Sequence, residues 1–216
     1  MSRTISLSVA DANQSLSGLD FSLDEVTKLA GEFYARHFNL DWKINVIMTT
    51  ILPWMIIPED GVGGKTYAND FVVLSIDPDK AAEVSVAEML VHELAHAVRW
   101  GKNPEWSSTL FREMVSEGLA VHMEAEFAKN QPDQTFFLKT ILGRSEDENR
   151  KMCEKLKPDF EAEKYDYDEI FFGNDKYPRW VGYSVGYYIV KQYLEKTGKD
   201  IFEAIGERYD RFRDAI

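Results

Sequence analysis

Two histidines four residues apart, in Val91-His92-Glu93-Leu94-Ala95-His96-Ala97, constrain this chain more than any other feature. On a helix that spacing stacks both imidazoles on one face. Val86, Leu90, Leu94 and Val98 recur at helical spacing and form an apolar stripe, with His92 and His96 on the neighbouring face. The segment is therefore predicted to be a helix that packs by one side and offers two ring nitrogens from another. Two stacked imidazoles suit a borderline-soft divalent cation such as Zn²⁺. Glu93 is turned by about 100° around the helix from His92, so it can sit beside such a cation without ligating it. A cation that acidifies water, with a carboxylate placed to take the proton, makes a hydrolytic site.

Composition sets the frame around that helix. The 216 residues, 44 % of them hydrophobic, are expected to form one domain. Within it we read 1–20 as a lead-in, 21–103 as an α/β part that includes the histidine helix, and 104–216 as a helical part. A net charge of −12 argues against nucleic acid or an anionic membrane as the main partner. The one cysteine, Cys153, allows no intrachain disulfide. Residues 1–18 are polar and Ser-rich with no apolar signal-peptide core, and no run of about 20 apolar residues occurs, so the cytoplasm is the expected location.

Local signals place the remaining elements. Ser22 with Glu25 reads as a capping box for a helix through about His37. His37 itself reads as a surface residue at that helix's C-terminal end. Residues 42–49 alternate and read as a strand, and 71–76, ended by Asp77-Pro78, as another. Between Pro53 and Pro58, Trp54 to Ile57 is at most a short edge strand. Asp60-Gly61-Val62-Gly63-Gly64 reads as a turn, since it lacks the phosphate-loop spacing. Helices are expected over 82–100 with Gly101 as its C-terminal stop, 104–129 with Pro104 in the first turn, 133–143, 146–157, 181–197 and 200–215. Residues 159–168 are acid-rich and read as solvated.

A catalytic zinc has three protein ligands and one open position. Glu113, Glu117 and Glu124 share one face of the helix that follows, and spacing alone does not choose among them. Glu117 is preferred because Gly118-Leu119-Ala120 after it would let this helix approach the histidine helix closely. Glu124 could then accept a hydrogen bond from the outer nitrogen of a ligand histidine and fix its tautomer. Glu113 is the second choice for either role. His122, on the same helix, reads as a polar helix residue.

His92-Glu93-x-x-His96 with Ser116-Glu117-Gly118-Leu119-Ala120 downstream resembles the gluzincin metallopeptidases. The wider pattern is similar to a bacterial family of predicted Zn-dependent proteases: glycines at 61–64, the 71–76 strand, both helices and Gly182-Tyr183-Ser184-Val185-Gly186-Tyr187. The resemblance implies zinc bound by His92, His96 and Glu117, with Glu93 as general base. It also implies Tyr183 as a donor to the developing oxyanion, with Tyr187 one turn later as the alternative. It makes the 71–76 strand the sheet edge that holds an extended peptide. The chain departs from the best-known aminopeptidases in lacking a Gly-x-Met-x-Asn segment, and from metzincins in lacking a third histidine at their spacing after His96.

The reading is an α+β, zincin-like fold: a small, mostly antiparallel sheet packed on the histidine helix, then a helical C-terminal half. The expected activity is zinc-dependent hydrolysis of peptide bonds in a peptide or protein substrate. The alternatives are a non-catalytic metal-binding module on the same scaffold and a hydrolase of a non-peptide amide.

Overall fold

The computed structural model describes residues 5–50, 55–103, 105 and 108–216. The chain divides into two compact units, residues 1–101 with 124–137, and residues 102–123 with 138–216.

The first unit is built on a strand–helix–strand crossover. In β1 (Ile5–Ala10) every second residue is Ile5, Leu7 or Val9, a strand pattern inside what reads as a polar lead-in. Helix α1 (Leu23–His37) follows, with Ser22 Oγ accepting from Glu25 N at 3.3 Å and with Val26, Ala30 and Phe33 buried. β2 (Ile44–Thr49) then returns beside β1 in parallel, Ile5 opposite Ile44 and Ala10 opposite Thr49. A helical crossover is the connection that parallel strands require. β3 (Val62–Ala68) and β4 (Phe71–Ile76) form a hairpin over Asn69-Asp70, and β4 lies parallel to β2.

The sheet order is β1-β2-β4-β3. Two corrections follow. The sheet is mixed rather than mostly antiparallel, because β1 joins it and the crossovers align β1, β2 and β4. The 71–76 strand, β4, is interior, and the antiparallel edge is β3.

β3 also corrects the reading of the glycines. Gly61 is in the turn, at φ 67°, but Val62, Gly63 and Gly64 belong to the strand. Glycine is usually a turn signal; here it marks places where another group lies close to the strand. Of the expected 54–57 strand, Trp54 lies outside the described residues, and Ile57 makes one isolated bridge to Val62.

Helix α2 (Glu83–Lys102) carries the histidines and runs through Gly101. A Cβ on Gly101 would overlap the Trp42 ring, whose Nε1 donates to Asn69 O at 2.9 Å. Gly101 is thus there to admit an indole, not to stop the helix. Helix α3 (Leu110–Ala128) starts later than expected, and Pro104 lies outside the described residues. Its part from Glu124 onward belongs to the first unit and the part before it to the second.

In the second unit α3 begins against 157–162: Leu110 N donates to Ala162 O and Phe111 N to Phe160 O, both at 3.0 Å. Those carbonyls satisfy amides that a helix start leaves open. The acidic stretch is solvated at its carboxylates, yet Phe160 is buried. Helices α4 (Phe136–Gly143), whose first two residues belong to the first unit, and α5 (Glu146–Leu156) follow, α5 with a capping box between Ser145 and Glu148. A π-helical turn (Asp168–Phe172) precedes α6 (Val181–Thr197). The expected 200–215 helix is two short ones, α7 (Ile201–Ala204) and α8 (Tyr209–Arg213), interrupted at Ile205-Gly206. Among the described residues, no helix is long and apolar enough to cross a membrane.

Candidate functional site

His92 and His96 lie on one face of α2 with ring centroids 5.1 Å apart. His92 is buried, and its Nδ1 is 3.0 Å from Glu124 Oε2. With Glu124 ionised the carboxylate accepts only, which puts the proton on Nδ1 and the ring's lone pair on Nε2. That tautomer is the one in which a histidine ligates a metal through Nε2. Glu124 is 1 % exposed. Burial raises its carboxyl pKa, against the lowering by its hydrogen bond to His92.

Three groups hold the turn of α2 around this pair. Tyr34 OH donates to Val91 O at 2.7 Å in a buried bond. Burial, with the charges of Glu124 and Glu93, pushes the Tyr34 phenol well above its ordinary pKa, so it stays a donor. Thr66 Oγ1 lies 2.7 Å from Glu93 Oε2 and 2.8 Å from Glu93 O. Glu88, one turn before His92, is fully buried and accepts from Thr135 N at 3.0 Å. Burial, with Glu124 the next cause, raises its pKa to about 7. Asp60 takes the next two amides, Phe136 N at 2.6 Å and Phe137 N at 2.9 Å, and the Phe137 ring stands edge-on to His92.

The second unit holds Glu117, Tyr167, Tyr183 and Tyr187. Glu117 is buried on α3. Tyr167 and Tyr183 are hydrogen-bonded, and the Phe171 ring stands perpendicular to Tyr183 at 5.3 Å and stacks on Tyr167 at 4.4 Å. Burial first, then Tyr183, Glu117 and Glu113, keep the Tyr167 phenol from ionising. Tyr187 is placed differently: its ring stacks on His122 at 4.0 Å, and His122 Nε2 bonds its carbonyl at 3.0 Å.

Gly118 corrects the argument from small residues. A Cβ there would run into the backbone of Gly186 on α6, and one on Gly186 into Met114 O. The small residue after Glu117 serves contact between α3 and α6.

Of the residues singled out in the sequence, the first unit gathers His92, Glu93, His96 and Glu124, and the second gathers Glu113, Glu117, Tyr183 and Tyr187. Thr66, Tyr34, Glu88 and Tyr167 were not anticipated. Only Thr66 had a local signal, the β-prone Lys65-Thr66-Tyr67 after the glycines.

Comparisons with known proteins agree with this chemistry. The model of a family described as predicted Zn-dependent protease (DUF2268) matches residues 25–213. "Uncharacterized protein YjaZ" of Bacillus subtilis (strain 168) is 28 % identical over 151 residues, 68 % of this chain and 55 % of that protein. The chain thus spans about half the length of that curated relative. No solved structure matches.

Proposed function

The chain belongs to this family of predicted Zn-dependent proteases, and from that premise we propose that it hydrolyses peptide bonds with a zinc ion held by His92, His96 and Glu117. The observation that carries the reading is the buried bond between His92 Nδ1 and Glu124, an arrangement that suits ligation through Nε2. The donor set fits zinc: two imidazoles and a carboxylate are a ligand set that catalytic zinc takes. Glu117 is offered as the third ligand because α3 is unbroken and brings it to the same face as Glu124, two turns earlier.

Zinc bound there would supply Lewis acidity toward a peptide carbonyl and toward water. Glu93 takes the proton of the attacking water and delivers it to the leaving nitrogen. Tyr183 donates to the carbonyl oxygen as negative charge builds on it. Glu124 keeps the His92 ring and tautomer in place. The edge strand β3 takes the role that the resemblance gave to the 71–76 strand, offering backbone groups to an extended peptide.

The test is cleavage of a peptide pool by the zinc-loaded chain, with and without a chelator, beside Glu93→Gln. We expect cleavage that the chelator abolishes. Glu93→Gln should retain zinc and lose at least about 10³-fold in turnover. An active Glu93→Gln would remove the base. A zinc-loaded wild type that cleaves no peptide would remove the peptidase reading in favour of a non-catalytic metal module or a hydrolase of another amide.

A further inference from the structure

Glu93 has two carboxylate oxygens, and a base that must collect a proton from one direction works best with one of them held still. We propose that Thr66 is a positioning residue for Glu93, its hydroxyl anchoring Oε2 so that Oε1 is the oxygen that takes the proton. The inference rests on the peptidase reading above and adds to it the group that aims the base.

The geometry is specific. Thr66 Oγ1 has a single proton and faces two acceptors of the same residue, Glu93 Oε2 at 2.7 Å and Glu93 O at 2.8 Å. Shared between the two as a bifurcated bond, that one proton holds Oε2 beside the residue's own carbonyl and limits the carboxylate's rotation. With Oε2 accepting from Thr66, Oε1 is the oxygen turned to the proton.

The strand around Thr66 is shaped for this contact. Gly64 and Thr66 are two residues apart on β3 and face the same side. A Cβ on Gly64 would come within 2.8 Å of both Cδ and Oε1 of Glu93. The glycine thus leaves space for the carboxylate and brings no competing group to Oε1. Thr66 is 9 % exposed and pairs in register with Val72 of the interior strand β4. The register shift between Thr66 and Ala68 comes immediately after it, a bulge of the kind that re-aims side chains beside a site. The same edge strand that would receive the peptide therefore also sets the base, and holds it from a rigid element.

Thr66→Val removes the hydroxyl with little change of shape, and Thr66→Ser keeps it. We expect Thr66→Val to bind zinc as wild type does, to lose roughly 10–100-fold in kcat and to change KM by less than about twofold, with Thr66→Ser recovering most of the loss. If Thr66→Val does not fold, Thr66→Ala carries the same expectation. A second readout needs neither metal nor activity. In urea unfolding of the metal-free chain, the costs of Thr66→Val and Glu93→Ala should fall short of additive when combined.

A wild-type kcat in the hydroxyl-free variant would overturn the proposal. So would a serine variant as impaired as the valine one, or strictly additive unfolding costs. Absence of peptide cleavage by wild type would instead strike the peptidase reading, and the unfolding cycle would still decide whether Thr66 and Glu93 are coupled.

Discussion

Glu93 is held by a hydroxyl, and Tyr183 stands among aromatic rings. Around Glu93 and His92, the buried groups include a hydroxyl, two further carboxylates and a phenol, each with a named partner: Thr66 with Glu93, Glu124 with His92, Glu88 with Thr135 N, and Tyr34 with Val91 O. Around Tyr183, a phenol–phenol hydrogen bond to Tyr167 lies beside stacked and edge-on aromatics, and α3 and α6 touch where Gly118 meets Gly186. Polar anchoring sets direction and tautomer, and it makes the region sensitive to proton concentration. Close packing of small and aromatic residues sets distance, and it is indifferent to pH.

That contrast can be broken by stability measurements. The largest effect is expected at Gly186. A side chain there meets the Met114 carbonyl, so Gly186→Val should cost about 3 kcal/mol by urea unfolding. The cost should be the same at pH 5 and pH 8. A loss confined to one pH would mean that ionisable groups hold this helix pair.

An effect of similar size and opposite character is expected at Glu88. Its carboxyl is raised from about 4.5 to about 7 by the fold. Between those values the folded chain keeps a proton that the unfolded chain has released. Its contribution is therefore complete below pH 4.5 and is lost as pH rises through 7. Glu88→Gln can still accept from Thr135 N and has no charge to desolvate. It should gain roughly 3 kcal/mol over wild type at pH 8 in the metal-free chain, and little at pH 4. Equal stability of the two at both pH values would remove Glu88 as a source of pH sensitivity.

What could be read in the sequence depended on how local the cause was. The histidine helix and α6 follow from periodicity within their own residues, and 181–197 is the span observed. Ser22 announces α1 three residues ahead of its partner Glu25. β1 escaped because its Ile5, Leu7 and Val9 sit among serines, and its pairing depends on β2 across a whole helix. The parallel sheet was lost with it.

Glycine misled at three places for one reason. Gly64, Gly101 and Gly118 each lack a side chain because a distant group fills that space: Glu93, Trp42 and Gly186 respectively. Nothing adjacent in the chain announces those partners. Thr66 is the same case in polar form, since the carboxylate that explains it lies on another element. Glu124 was easier, because seven residues put it on the face of Glu117 and its chemistry suits a histidine nitrogen.

The central claim is that His92 and His96 hold a zinc ion that Glu93 serves but does not bind. Zinc retained per chain after equilibrium dialysis, measured for wild type, His96→Ala and Glu93→Gln, tests it most directly. The account predicts one zinc in wild type and in Glu93→Gln, and a loss of most of it in His96→Ala. Equal zinc in wild type and His96→Ala, or none in wild type, would contradict it.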